Sequence, residues 1–239
     1  MKKFLLVLIL ISICSLTYSQ SVLEGKRVLV VYGGWPDHKP EQFAQKITDW
    51  LQSQKAEVIL SQSTDSYTDQ KLMGSVDLVI QHITMSEMSS AASRGLTRAI
   101  HSGVGLAGCH GGLGDSFRND TEFQYMVGGQ FVKHPGGQVD YRVSISEIAD
   151  PIVSGIKDFD LHTEQYYMHY DPSIEILATT LFTGEHDSWI AGVKMPVVWK
   201  KKYGDGRVFY SAIGHSINLF ERSEVWELMT RGIIWAIRK

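Results

Sequence analysis

Two cysteines in 239 residues are too few for a disulfide framework. Cys14 falls in an N-terminal stretch that reads as a cleaved leader, so Cys109 stands alone in the mature chain and no intrachain disulfide can form. No run of Lys and Arg offers a surface to nucleic acid, and the formal net charge is −3. Neither Cys-x-x-Cys nor His-x-x-x-His occurs, so no local metal-binding spacing is present. The apolar stretch at residues 4–13 is too short, and wrongly flanked, to span a bilayer. There is no internal repeat, low-complexity tract or linker, and residues 20–239 read as one domain. The composition, 44% hydrophobic and 21% charged, is that of an ordinary globular chain.

What the first residues do have is the layout of a signal peptide over residues 1–19. Lys2 and Lys3 form a positive start, residues 4–13 an apolar centre, and Thr17-Tyr18-Ser19 a small-x-small cleavage site before Gln20. Removing Lys2 and Lys3 from the 23 basic residues leaves 21 against 26 acidic ones, a net of −5. The expectation is an exported protein, periplasmic or extracellular, with no stable membrane insertion after cleavage. The alternative is a lipid anchor on Cys14, but bulky Ile13 stands where such a site takes a small residue.

Apolar runs alternate with helix-period segments through the first half. Residues 27–32, 57–60, 76–81 and 104–107 read as strands buried on both faces. Residues 40–54 and 86–101 read as amphipathic helices, the first opened by Pro40. A strand with alternating exposure is expected at 139–145, and others at 164–167 and 175–180. Residues 197–199 and 207–212 form a hairpin around the Asp205-Gly206 turn, and 224–238 a closing helix. This order predicts a mainly parallel central sheet with helices on both faces and ligands at the carboxyl ends of its strands.

The stretch at the centre is Gly108-Cys109-His110-Gly111-Gly112, just after strand 104–107. It has the form of an elbow that lifts one side chain above a parallel sheet. With Gly108 and Gly112 as flanking glycines the raised residue is His110; a register one residue earlier raises Cys109. As a buried group Cys109 is a small hydrophobe, and as an exposed one a free thiol.

Gly33-Gly34 with His38, Gly108-Cys109-His110, Gly128-Gly129 with Phe131 and His134-Pro135, Asp150-Pro151-Ile152, Glu164 with Tyr166, Gly206-Arg207-Val208 and Gly214-His215 occur in that order. The ordered set, over about residues 27–238, resembles the ThuA-like (trehalose utilisation) family of the class I glutamine amidotransferase-like superfold. The resemblance implies a flavodoxin-like, three-layer α/β/α fold and a carbohydrate, or an oxidised keto sugar, as ligand. It also implies that this is not a working amidotransferase, because those enzymes raise a cysteine where His110 stands here.

His38, His110, His134 and His215 all fall on expected loops at strand ends, where neutral imidazoles can gather as Zn²⁺ ligands. Glu164 can add a carboxylate or orient an imidazole. His110 and His215, with Glu164, are equally candidates for acid–base work, in hydrolysis or in proton abstraction beside a carbonyl. Gly33 and Gly34 offer backbone donors and Arg118 a cation to a polyhydroxy or anionic ligand. Tyr166, in Tyr166-Tyr167-Met168-His169-Tyr170, is a candidate sugar-stacking wall, though the cluster also fits ordinary strand packing. His82, His101, His162, His169 and His186 lack a comparable glycine-framed setting. Three activities follow: a histidine-dependent enzyme on sugars, a non-catalytic carbohydrate-binding protein, and a hydrolase using Cys109 with His215. The leader makes one prediction on its own. N-terminal sequencing of protein from its native host should begin within a few residues of Gln20, and a retained Met1 would refute export.

Overall fold

The computed structural model describes residues 21–239, and the expected leader lies outside them. The first half runs β1 (Arg27–Gly34), α1 (Pro40–Ser53), β2 (Glu57–Ser61), α2 (Gln70–Ser75), β3 (Leu78–Thr84), α3 (Ser90–His101) and β4 (Gly105–Cys109). The second runs α4 (Gly111–Gly114), α5 (Thr121–Val127), β5 (Gly129–Lys133), β6 (Gln138–Ile145), β7 (Phe159–Glu164), β8 (Tyr167–Tyr170), β9 (Glu175–Leu181), β10 (Lys194–Tyr203), β11 (Gly206–Ser211) and α6 (Ser223–Ala236). Nine strands form one sheet in the order β2-β1-β3-β4-β11-β10-β9-β6-β7, with β5 and β8 paired apart from it. The strands from β2 to β11 are mutually parallel, and the sheet continues through antiparallel pairs from β10 to β7.

The parallel half obeys its hydrophobic pattern. Val28, Leu29, Val30 and Val31 of β1 are fully buried, as a strand covered on both faces requires. Phe43, Ile47 and Leu51 put one apolar stripe of α1 onto β1. Trp50 meets Trp226 of α6 edge to face, so α1 and α6 share a layer. α2, α3 and α5 pack together as the other, giving the three-layer α/β/α architecture of a flavodoxin-like fold. In the antiparallel half Trp199 is fully buried and donates its indole N–H to the Val127 carbonyl at 2.9 Å, tying β10 to α5.

Two expectations shift, for local reasons. The helix expected from residue 86 starts at Ser90, because Ser89 caps it and the Met85 and Ser86 amides are held by the carbonyls of Asp115 and Ser116. The strand expected over 164–167 breaks, since β7 ends at Glu164 and β8 begins at Tyr167. Between them Gln165 turns to Thr180 and Tyr166 to His110. β5, with no alternating pattern of its own, exists by pairing with β8.

Beneath the elbow, His82 of β3 is buried, stacked on Phe43 at 4.2 Å, with Nδ1 3.8 Å from Cys109 Sγ. Burial, then the neighbouring His110, push its pKa from 6.5 to about 3, against a bond to the His38 backbone that raises it. The unfolded chain therefore binds a proton near pH 6.5 that the folded chain refuses until about pH 3. Stability is full above that window and falls with pH inside it, by about 1.4 kcal/mol per pH unit for one such group. His82→Gln should lessen the loss of urea stability between pH 6.5 and 5 by about that slope in chelator-treated protein. An unchanged slope would show that His82 is not neutral in the fold.

Candidate metal centre

The loops at the carboxyl edge of the parallel strands build the site. β1 ends in Gly34, whose φ is +77° and whose close approach leaves no room for a Cβ beside the Thr84 carbonyl. That approach lets β1 run in register with β3 to its last residue, Gly34 opposite Thr84. The chain then turns through Trp35 and presents His38, buried, with Nδ1 2.9 Å from Thr84 Oγ1.

The elbow follows β4. Its raised residue is His110, at φ 50° and ψ −142°, a strained conformation for a side-chain-bearing residue. Gly112 can approach His82 only without a Cβ, and Gly108 likewise lies against the Gln81 carbonyl. His110 is fully buried, and its Nδ1 lies 2.9 Å from the Ala212 carbonyl. A carbonyl only accepts, so Nδ1 carries the proton and the Nε2 lone pair points outward. The Tyr166 hydroxyl reaches that nitrogen at 2.8 Å, and Glu164 Oε2 lies 3.1 Å from it. His215, just past β11, brings Nδ1 to 3.4 Å from the same carboxylate oxygen.

His38, His110, His215 and Glu164 thus converge, with one ligand atom from each within 4.8 Å of all the others. The electrostatics suit a cation. Burial, then His110, His82 and His215, lower the pKa of His38 to about 3, so it is a neutral donor. Burial likewise outweighs the contacts of His110 with Glu164 and Ala212 and holds it below the usual histidine range. Burial opposes a charge on Glu164, yet His110 and His215 prevail and keep its carboxyl well below the usual range. The buried Nε2 of His38 and Nδ1 of His215 have no hydrogen-bond partner. Buried polar atoms are normally satisfied, and two unpartnered ring nitrogens beside a carboxylate fit a metal ion.

The other residues singled out in the sequence fall at different depths. His134 stands at the rim, its side chain 41% exposed, with Nε2 3.7 Å from the second carboxylate oxygen of Glu164. It approaches the same carboxylate but lies outside the converging set. Tyr166 is buried and stacked on His110 at 4.2 Å, so its ring is committed to the imidazole and only its hydroxyl faces the site. Tyr167 and Tyr170 lie on β8, which pairs with β5 as an ordinary strand. Arg118 is bidentate to buried Asp115 at 2.6 and 2.7 Å, which makes a salt bridge its established contact. Gly33 and Gly34 serve the register of β1 with Ile83 and Thr84. Cys109 is the last strand residue, fully buried, and burial pushes its thiol pKa up. Its sulfur faces His82, not His215, so the geometry gives it no nucleophilic role. Thr84, Ala212 and Asp115 escaped the sequence reading. Only Asp115, three residues before Arg118, carried a pattern that could have exposed it.

Solved structures with the same fold include a ThuA-like protein of Parabacteroides merdae, 18% identical, with a TM-score of 0.71 over 89% of this chain and 90% of that one. A ThuA-like protein of Bacteroides uniformis is 14% identical, with a TM-score of 0.71 over 90% and 91%. A β-galactosidase of Rahnella sp. R3 shares the fold more distantly, with 16% identity and a TM-score of 0.54 over 88% of this chain and 31% of that one. No curated protein matches the sequence. The family model described as ThuA, trehalose utilisation, matches residues 27–236, and the chain belongs to that family.

Proposed function

We propose that this chain is an exported enzyme acting on a carbohydrate or an oxidised keto sugar at the histidine cleft, with a divalent cation held by His38, His110, His215 and Glu164. The observation that carries the reading is the unpartnered, buried Nε2 of His38, aimed beside His110 and His215. Zn²⁺ is the best match to three imidazoles and one carboxylate. The family's link to trehalose utilisation supports a sugar as ligand. Such an ion, when bound, would polarise a carbonyl or lower the pKa of a bound water.

The chain's own groups divide the remaining tasks. The Ala212 carbonyl keeps the His110 proton on Nδ1, and Thr84 orients His38. Tyr166 stays protonated because burial pushes its pKa up, so its hydroxyl is a donor for a substrate oxygen. His134, at the rim, is the exposed imidazole nearest the free oxygen of Glu164. Trp35, edge-on to His38 at 4.8 Å and partly exposed, flanks the entrance.

Elemental analysis of untagged protein from its native host should find about one divalent ion per chain, and Glu164→Gln or His38→Ala should weaken its retention by about 10–100-fold or more. A screen against 3-keto and ordinary disaccharides should find turnover that falls by about 10²–10⁴-fold in His110→Ala and persists in Cys109→Ser. Ion-free native protein would remove the metal. Saturable sugar binding with no turnover would leave a carbohydrate-binding protein. Turnover lost in Cys109→Ser and kept in His110→Ala would restore the cysteine hydrolase.

A further inference from the structure

A cleft far from the histidines holds a concentration of unpaired positive charge. It lies between α2 and α3, has a volume of about 430 Å³, and is lined by Arg94, Arg98 and Arg238 with no Asp or Glu among its lining residues. Its lining runs down to Val104, one residue before β4, whereas His110 follows the last residue of that strand. At about 3.3 Å per residue the two ends are about 20 Å apart.

Arg94 and Arg98 are one turn apart on α3, where like charges repel. Both are exposed, and among the described residues neither side chain has a hydrogen bond or ion pair. The negative end of the helix dipole accounts for a cation at Arg98, in the last turn, but not at Arg94. Arg238 comes from the other side, held by a bond from Nη2 to the Ser102 carbonyl at 3.2 Å. The chain as a whole carries net negative charge, so this cluster runs against the average.

The floor is of a different character. Ala91, Gly95 and Ala99 present small apolar surface there above buried Tyr67, Met73 and Val104, and Gly95 lets α3 approach the Tyr67 carbonyl more closely than any Cβ would allow. Guanidinium groups bind phosphate oxygens through paired N–H donors, and an apolar floor takes the body attached to them. We propose that this cleft binds a small phosphate ester, its phosphate between Arg94, Arg98 and Arg238 and its organic body on the accessible Ala91, Gly95 and Ala99 of α3. The site is independent of the histidine cleft and of the activity proposed for it.

Isothermal titration of the mature protein at low salt tests this with phenyl phosphate, inorganic phosphate and phenol. Phenyl phosphate should bind saturably with Kd below about 1 mM and more tightly than inorganic phosphate, while phenol should not bind. Each guanidinium removed should weaken binding by about tenfold, in Arg94→Ala, Arg98→Ala and separately in Arg238→Ala. The thermal midpoint and the metal content should be unchanged, since Arg94 and Arg98 are exposed and remote from the histidines. No saturable phenyl phosphate binding below about 10 mM, or full binding retained by the Arg94→Ala/Arg98→Ala double variant, would overturn the proposal.

Discussion

The bond between His110 and the Ala212 carbonyl governs the chemistry of the carboxyl edge. Because the carbonyl can only accept, it keeps the imidazole proton on Nδ1 and turns a lone pair toward Glu164. Everything else at the site is arranged around that lone pair. The elbow strain at His110 places the ring, and β11, parallel to β4, supplies both the carbonyl and the following His215. The contact belongs to the backbone of a buried residue, so the packing around Ala212 fixes where the carbonyl points.

The parallel strands build three of the four converging groups, and the antiparallel extension supplies the fourth. Glu164 ends β7, at the far end of the sheet order, and reaches the elbow because the chain stops pairing there and turns through Gln165 and Tyr166. The neutral imidazoles and the ionised carboxylate are complementary outcomes of one burial. Burial suppresses charge on His38 and His110, while His110 and His215 sustain charge on Glu164. His38 and His110 thus bring neutral nitrogen donors to one negative oxygen donor.

Much of the parallel half was legible in the sequence, because continuous apolar runs and helix-period stripes report burial directly. The strand-end histidines were legible from the glycines around them, since a glycine such as Gly111 marks where backbone and the His38 ring come close. The start of α3 was not legible. Ser86, Ser89 and Ser90 are all plausible caps, and carbonyls about thirty residues away decide among them. β5 and β8 were illegible as a pair because each is short and depends on the other. The carbonyl of Ala212 and the hydroxyl of Thr84 left no signal, because orienting a ring takes one polar atom and no particular pattern. The pairing of Arg118 with buried Asp115 was legible only as a spacing of three residues, since nothing in the sequence says which carboxylate an arginine meets.

The Tyr166 hydroxyl occupies the outward lone pair of His110 at 2.8 Å. It therefore acts as an internal stand-in: the most deeply buried of the converging nitrogens has a partner before any ligand arrives. The fold thereby avoids a bare imidazole at its centre, because one tyrosine both satisfies the buried nitrogen through its hydroxyl and covers the same imidazole with its ring.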